Sequence, residues 1–367
     1  MNIMNTRQIC LLSMHGLGDL LMFLPTIQSI SRYFSDRSVT VFVRNKTSSE
    51  LLDMAHLNEN VKVEYPRRTT SWRFKQTFNP LAGLRRLNPG NFWVLNRLRS
   101  YHPNITLVMT KMNPHLTPLM CLYSRNQMSI GEAVGWGKFF YTHPVRTDFN
   151  RHRVYRNLEL LKPLSIPMPS KPAIQLYPEP GLLNRPSLTG NWSDGQIRIA
   201  IAPCVTPAQP WRLWPPSHWA GLIDLLYDRM GAVCYLLGSG SKEDRDTTAA
   251  IEANLRQPAS AVNLCGELTI QQTAAFISRI HLVCGIDCGL LHIAAAVGTR
   301  LVAFWAATQT QHYPFTENRK IINLDCKCRG KYPHSVRQSC RQQSECLTAF
   351  TDRQAFKEIQ EMVTNVS

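Results

Sequence analysis

Residues 280–305 have the sequence IHLVCGIDCGLLHIAAAVGTRLVAFW. The pattern predicts a buried strand at 281–285, a short apolar helix at 290–297 and a second buried strand at 301–305. A strand, a helix and a strand in this order form one turn of a parallel sheet with helices on its faces. The sequence therefore predicts an α/β fold, with a ligand site where the first strand meets the helix.

Three residues at that junction suit a bound diphosphate: Asp287, Gly289 and His292. The free N–H groups of the first helical turn and the positive end of its dipole attract an anion, and a glycine lets the anion approach the backbone. Each residue also has a simpler interpretation, with Asp287 as a helix N-cap, Gly289 as a turn former and His292 as a packed side chain.

Length and composition indicate two domains in a reducing compartment. The chain has 367 residues, of which 44% are hydrophobic, enough for two cores. It contains 11 cysteines, an odd number that does not suggest a disulfide framework, and no apolar run approaches the roughly 18 residues that span a bilayer. The N-terminus lacks a signal-peptide pattern, so we expect a cytoplasmic protein.

The net charge of +16 is concentrated in the first half of the chain. Residues 1–190 hold 24 Lys and Arg against 10 Asp and Glu, whereas residues 191–367 hold 17 against 15. Between Val61 and Ser100, nine basic residues accompany a single acid, Glu64, with five Trp and Phe residues interleaved. The composition leaves three interpretations open: attraction to an anionic surface or ligand, an RNA-binding face, or a solvated loop without function.

Near the N-terminus, a predicted strand at 8–13 leads into a glycine turn, Gly16 and Gly18, followed by Asp19. The third glycine of a dinucleotide-binding motif is absent, which disfavours a nicotinamide or flavin cofactor. Asp19 is either a helix N-cap or a carboxylate held at the carboxyl end of the first strand, where a ligand would bind.

The second half repeats the alternation of strands and helices after a Pro- and Ser-rich linker at 163–195. Arg212 follows the strand predicted at 197–202, and it would either grip a diphosphate or stack on the neighbouring Trp211 or Trp214. Glu243 follows a glycine turn, where it would either bond a ribose or adenine or remain solvated.

Four cysteines cluster near the C-terminus: Cys326, Cys328, Cys340 and Cys346. Four thiolates within 21 residues could hold a structural zinc or iron, although the C-x-C spacing is a weaker indication than C-x-x-C pairs. Cysteines without a metal are the alternative.

Several motifs together resemble those of the ADP-heptose glycosyltransferases, glycosyltransferase family 9. The resemblance is carried by D-x-G-L-x-H at 287–292, G-x-G-D at 16–19, R-x-W-P at 212–215 and H-x-V-x-R-N-L at 152–158. It implies a GT-B fold, two Rossmann-like parallel-sheet domains facing across a cleft. The implied domains are an acceptor domain at 1–180, a nucleotide-sugar domain at 181–350, and a terminal helix at 351–367 that packs back on the first domain.

The resemblance also implies inverting, metal-independent transfer of heptose from ADP-L-glycero-D-manno-heptose to a hydroxyl of the lipopolysaccharide inner core, with no cofactor required. Asp19 would be the catalytic base. The implied donor-binding residues are Thr206, Arg212, Glu243, Asp287, Cys288, Gly289, His292 and Thr308, and the basic stretch would bind the anionic acceptor through Lys62, Arg67, Arg68, Arg73 and Lys75. Cys288 replaces a usual Ser or Thr, and Ala306-Ala307 stand where a glycine and a proline are expected.

Under this interpretation the protein works at the inner face of the inner membrane, in peripheral contact with the membrane surface, and nucleic acid is not an expected partner. Two other functions stay open. One is a protein O-heptosyltransferase that acts on an autotransporter and whose relatives carry a cysteine-held iron. The other is a non-catalytic GT-B protein that binds nucleotide or RNA through its basic face.

Overall fold

A computed structural model of the chain describes residues 6–67, 89–113, 116–183, 192, 195–206, 209–329 and 345–364. The chain divides into two compact units, Met1–Ile174 and Gln175–Ser367. This division falls within the predicted linker at 163–195, a few residues before the boundary expected after residue 180.

The described part of the first unit is built on six parallel strands in the order β3-β2-β1-β4-β5-β6. The strands are β1 Gln8–Ser13, β2 Ser38–Val43, β3 Val61–Glu64, β4 Ile105–Val108, β5 Met128–Glu132 and β6 His143–Val145. The helices are α1 Leu17–Tyr33, α2 Lys46–Asp53, α3 Pro89–Ser100, α4 Leu116–Tyr123 and α5 Arg153–Glu159.

In the second unit, the described residues again form six parallel strands, in the order β12-β11-β10-β7-β8-β9. The strands are β7 Arg198–Ala202, β8 Val233–Leu236, β9 Ala261–Asn263, β10 Leu282–Ile286, β11 Leu301–Trp305 and β12 Arg319–Asn323. The helices are α6 Pro216–Met230, α7 Lys242–Glu252, α8 Ile270–Ile277, α9 Gly289–Ala296, α10 Glu345–Thr348 and α11 Asp352–Thr364.

The prediction of a parallel α/β fold is thus confirmed. Strand β10, helix α9 and strand β11 form the predicted unit at 280–305, with both strands fully buried. Continuous apolar runs are expected for parallel strands, because helices cover both faces of such a sheet.

Helix α6 shows how local sequence sets an element and attaches it to the core. Pro216 occupies its first position, where the missing N–H is harmless, and Gly231 ends it in the left-handed conformation, with φ of 61°. Trp219, Ile223 and Leu226 recur on one face and are buried. The sheet side of this helix therefore forms the centre of the second core.

Trp214, just before α6, anchors that core. Its ring lies edge-on to Trp219 and Phe304 with centroids 4.6 and 5.0 Å apart, and its Nε1–H donates to the Phe350 carbonyl at 2.8 Å. Trp214 is fully buried. Hydrogen bonding and burial of Trp214 together attach the loop before α6 to the core.

The terminal helix α11 packs on α6, and its buried residues Ala355 and Ile359 belong to the core of the second unit. Gly221 of α6 lets Asp352, the first residue of α11, approach closely. The predicted packing of this helix on the first domain stays a prediction.

None of the described helices is both long and apolar enough to cross a membrane.

Replacing Trp214 with Ala should lower the free energy of unfolding of the second unit by about 3–5 kcal/mol, because the change leaves a cavity and removes the hydrogen bond to Phe350. Urea-induced unfolding measures this. The exposed-strand variant Val262→Ala is the control and should change stability by less than about 0.5 kcal/mol. Equal unfolding midpoints for the Trp214 variant and the unmodified protein would contradict this account of the core.

Candidate active site

In each sheet, two neighbouring parallel strands are followed by connections that lead to opposite edges of the sheet. In the first sheet β1 leads to β2 on one side while β4, its other neighbour, leads to β5; in the second sheet β7 and β10 have the same relation. The loops that leave such a strand pair diverge and open a crevice at the carboxyl ends, where ligands bind in sheets of this type. The predicted site residues Asp19, Arg212 and Asp287 all follow strands of these two pairs.

Asp19 is the third residue of α1, and Gly16 rather than Asp19 is the N-cap. Gly16 has an extended backbone, with φ of −71°, and a Cβ there would meet open space. Neither glycine of the turn has a positive φ. The turn therefore does not need glycine for its conformation, and its lack of side chains leaves the start of α1 uncovered.

The sequence interpretation missed the partner of Asp19. The Nζ atom of Lys111 lies 3.7 Å from Asp19 Oδ1, and Lys111 follows β4 just as Asp19 follows β1. Lys111 has a left-handed backbone, with φ of 70°, which is uncommon for a residue other than glycine. Its N–H donates to Glu132 Oε2 at 3.3 Å, and its carbonyl lies 3.0 Å from Nε2 of His15. These two contacts hold the unusual backbone in place.

Buried polar residues of α5 contact the segments that carry Asp19 and Lys111. Arg156 forms an ion pair with Glu132, and both side chains are almost inaccessible. Arg153 Nη1 donates to Thr110 Oγ1 at 3.0 Å, and burial lowers the pKa of Arg153 to about 10, against the opposing effect of Asp19. Asn157 Nδ2 donates to the Met22 carbonyl of α1 at 3.0 Å. This network ties α1, and with it Asp19, to the loop after β4.

His15 is neutral at pH 7. A carbonyl only accepts, so Nε2 carries the hydrogen that is donated to Lys111. Burial lowers the pKa of His15 to about 4; the Asp19 carboxylate opposes this shift, and the Lys111 and Arg153 cations reinforce it. His15 therefore adds no charge beside the Asp19–Lys111 pair at neutral pH.

In the second unit, the structure brings Arg212 and Asp287 together from positions 75 residues apart. The Arg212 guanidinium donates to the backbone carbonyl of Asp287 and forms an ion pair with its carboxylate, and it also donates to Gln209. Both side chains of the pair are 15% exposed. Their position at the β7–β10 crevice confirms neither a donor role nor the stacking alternative, but it places a cation beside the start of α9.

Cys288 is the N-cap of α9, and Gly289 is its first residue. Burial raises the pKa of Cys288 to about 11, and the backbone N–H groups of Leu291 and Leu290 oppose that shift. The thiol therefore remains protonated at neutral pH. His292, one turn further on, is 6% exposed. Cys288 rather than Asp287 is thus the cap of α9, and His292 is buried in its first turn.

The other predicted donor residues lie in the loops around this crevice. Thr206 is exposed and its carbonyl accepts from the Gln209 N–H, while the Thr308 carbonyl accepts from Trp305 Nε1 at 3.0 Å. Glu243 is exposed in the first turn of α7. Their predicted roles stay predictions.

The sequence interpretation overlooked Asp244, the neighbour of Glu243. Asp244 accepts from the N–H and the hydroxyl of Ser239, at 2.7 and 2.6 Å, and so shapes the glycine turn after β8. Asp244 and Asp246 have the Asp-x-Asp spacing that can hold a divalent cation, but Asp246 turns away to pair with Lys242 at 2.6 Å. The two carboxylates therefore have separate structural partners.

Of the predicted acceptor residues, the structure describes two. Lys62 lies on the edge strand β3 and pairs with Glu64 at 3.1 Å, and Arg67 is exposed. Burial raises the pKa of Glu64, but hydrogen bonds from Arg97, Tyr101 and Lys62 outweigh it and hold the pKa at about 2. Arg68, Arg73 and Lys75 lie outside the described residues. Lys62 is thus two strands away from β1 and is not brought to Asp19.

The cysteine prediction receives no support. Cys326 and Cys328 are buried in the hydrophobic core of the second unit, and Cys340 lies outside the described residues. Within the described ranges, no group of three or more His, Cys, Asp or Glu side chains is placed to hold a metal ion.

Comparisons with known proteins agree with this architecture. The family model of glycosyltransferase family 9 (heptosyltransferase) matches residues 121–344. Lipopolysaccharide heptosyltransferase 3 of Escherichia coli is 23% identical over 297 residues, which are 79% of this chain and 81% of that protein.

Two solved structures are similar in fold. The ADP-heptose lipopolysaccharide heptosyltransferase II of E. coli has a TM-score of 0.72 at 18% identity, and the match covers 98% of this chain and 99% of that one. The iron-containing dodecameric glycosyltransferase TibC of enterotoxigenic E. coli has a TM-score of 0.58 at 13% identity, covering 99% of this chain and 77% of that one. These likenesses show that the fold is GT-B.

The neutral, partly buried His15 predicts a pH-dependent stability. Its folded pKa of about 4 lies below its ordinary 6.5, so the unfolded chain takes up a proton first as the pH falls. The stabilisation is complete above pH 6.5 and is lost between pH 6.5 and 4, by on the order of 3 kcal/mol. The variant His15→Gln keeps an N–H donor but does not titrate, so its stability should fall less over that range. Urea midpoints measured at several pH values would contradict this if the two proteins gave parallel curves.

Proposed function

Because this chain belongs to glycosyltransferase family 9, the heptosyltransferases, we propose that it transfers heptose from ADP-L-glycero-D-manno-heptose to a hydroxyl of the lipopolysaccharide inner core. One observation carries the proposal: each unit has an ion pair between a carboxylate and a cation after its central strands. The pairs are Asp19 with Lys111 in the first unit and Asp287 with Arg212 in the second. A transfer between two substrates needs a group that activates the acceptor and a group that stabilises the leaving diphosphate.

The second unit supports donor binding. The first N–H groups of α9 are favourable for a diphosphate, and Arg212 stands next to them with five N–H donors in a planar fork. Its ion pair with Asp287 fixes the fork before the donor arrives, which limits the entropy lost on binding. Charge that develops on the ADP β-phosphate would be stabilised by Arg212 and the helix start.

The first unit supports acceptor activation. Asp19 is partly exposed at the end of the sheet and is oriented by α1 and Lys111. In the proposed inverting reaction, the acceptor hydroxyl gives its proton to an Asp19 carboxylate oxygen while its oxygen bonds to the anomeric carbon. The bond from that carbon to the ADP oxygen breaks at the same time, and its electron pair leaves with ADP. Catalysis in this scheme is metal-independent.

Lys111 gives the crevice a second function in the same proposal. The inner core acceptor is anionic, and a lysine beside the reacting hydroxyl compensates an acid group on the acceptor. The acceptor is lipid-linked, so the reaction would take place at the inner face of the inner membrane. Transfer to a protein is the competing acceptor class, and assays with ADP-heptose and each acceptor separate the two.

Replacing Asp19 with Asn should lower kcat at least about a hundredfold, the smaller effect expected when a general base is lost, because amide nitrogen cannot accept the hydroxyl proton. Radiolabelled heptose transfer measures the rate, and calorimetric titration with ADP should show unchanged donor binding. Asp36→Asn, at an exposed carboxylate on the same unit, is the matched control and should keep full activity. Normal turnover by the Asp19 variant would rule out the proposed base.

Replacing Arg212 with Met should raise Kd for ADP about tenfold or more, since a charge-assisted bidentate contact is lost. The control is Lys242→Met, which removes a side chain of the same unit that is also cationic but highly exposed. ADP affinity that is the same in both variants would show that Arg212 does not contact the diphosphate.

A further inference from the structure

A group of large apolar side chains lies on the surface of the first unit. Five of the ten large hydrophobic side chains that the described residues expose belong to α3, α4 and the 3-10 helix at 136–140: Phe92, Leu122, Tyr123, Trp136 and Phe139. Phe139 is 77% exposed and Leu122 is 61% exposed. Single exposed apolar residues are ordinary, but a group of five on adjoining elements indicates a binding surface.

The three elements are joined into one surface. Helix α4 packs against the 3-10 helix, and the Thr117 hydroxyl of α4 lies 3.1 Å from the Tyr141 hydroxyl that follows it. Helix α3 contacts α4, and the guanidinium of Arg99 lies 4.7 Å above the Tyr123 ring. Phe92 and Arg99 are seven residues apart on α3 and therefore share a face. The apolar side chains and their neighbouring cations thus form what we call the aromatic-basic face.

The sequence that forms this face is strongly basic. Residues 89–147 contain one acid, Glu132, which is nearly buried and paired with Arg156. Three basic residues lie on these elements or directly after them: Arg99, Arg125 and Lys138. Lys138 lies 5.1 Å above the Phe139 ring, as Arg99 does above Tyr123. Apolar rings bordered by cations match a lipid interface that carries negative headgroups.

RNA fits these observations less well. Bases bind by stacking on open aromatic faces, whereas Arg99 and Lys138 each cover one face of Tyr123 and Phe139. Leu122, one of the most exposed residues of the face, has no ring to stack. Insertion between lipid headgroups uses ring edges and aliphatic side chains equally well, because it depends on apolar area.

We propose that the aromatic-basic face docks the protein on an anionic phospholipid bilayer, with Leu122, Trp136 and Phe139 inserted among the headgroups and Arg99, Arg125 and Lys138 at the phosphates. The proposal rests on surface residues alone, so it can hold or fail independently of heptose transfer. It also differs from docking through the basic stretch at 62–99, because most of its residues lie in α4 and the 3-10 helix.

The test is cosedimentation of the full chain with vesicles of phosphatidylglycerol and phosphatidylcholine, compared with vesicles of phosphatidylcholine alone. We expect binding to the anionic vesicles that weakens as salt is raised. The double variant Trp136→Ser with Phe139→Ser should bind at least about tenfold more weakly, since two apolar side chains no longer leave water. The variant Arg125→Gln with Lys138→Gln should lose the preference for anionic vesicles.

The matched control is Tyr33→Ser, which removes another exposed aromatic ring of the first unit. Tyr33 is the last residue of α1. The connection from β1 to β2 and the connection from β4 to β5 lead toward opposite edges of the sheet, so right-handed crossovers place α1 and α4 on opposite faces. Tyr33→Ser should therefore bind vesicles like the unmodified protein. Circular dichroism melting curves confirm that each variant is folded.

Several results would overturn the proposal. These are an unmodified protein that stays in the supernatant with both kinds of vesicle, a double variant that sediments normally, and binding of single-stranded RNA that is lost in the same variants without any vesicle binding. The vesicles contain no saccharide or nucleotide sugar. Loss of docking is therefore distinguished from failure of the transferase proposal by transfer to a short, lipid-free acceptor, which the double variant should perform normally.

Discussion

Both candidate sites depend on one constraint of the sheet topology. Two neighbouring parallel strands are followed by connections that lead to opposite edges of the sheet. This arrangement leaves the ends of β1 and β4, and of β7 and β10, without a covering connection. Polar side chains there retain access to water and ligands, although the strands themselves are buried. Charged residues that would be costly inside either core can therefore be held close to the centre of the sheet.

The two units stabilise the charged residues of their candidate sites in different ways. In the second unit a single pair is enough, because Arg212 reaches both the carboxylate and the carbonyl of Asp287. In the first unit the support lies behind the pair, where Glu132 and Arg156 neutralise each other out of water. Such a buried pair contributes little net stability compared with apolar packing, and removing one partner is strongly destabilising. Its value here is that it fixes the left-handed backbone of Lys111, a position that no apolar contact would specify.

The sequence allowed good prediction of the central elements and poor prediction of the edges. Strands β1 and β11 have continuous apolar runs, and their bounds agree with the predicted ones. The edge strands β3 and β12 were not predicted, because residues such as Lys62, Glu64 and Lys320 give them no apolar run. Edge strands face water on one side and carry charges that prevent further pairing, so their pattern resembles that of a loop.

The site residues divide in the same way. Asp19 and Asp287 were predicted because each lies where a buried strand is followed by a helix, which is a local pattern. Lys111 and Asp244 were missed because their roles depend on contacts that sequence spacing does not show. The positive φ of Lys111 is set by Glu132 and His15, which are distant along the chain. Arg156 and Asn157, within the motif at 152–158, belong to the buried network. A helical pattern alone does not reveal that these polar residues face inward.

The placement of α11 has a consequence for synthesis. Ala355 and Ile359 complete a core that begins near Ile199, so the ribosome must release nearly the whole second half before that core can close. The first unit has all of its residues much earlier and can fold while translation continues. Until α11 emerges, the apolar surface of α6 that it covers in the folded protein remains exposed to water.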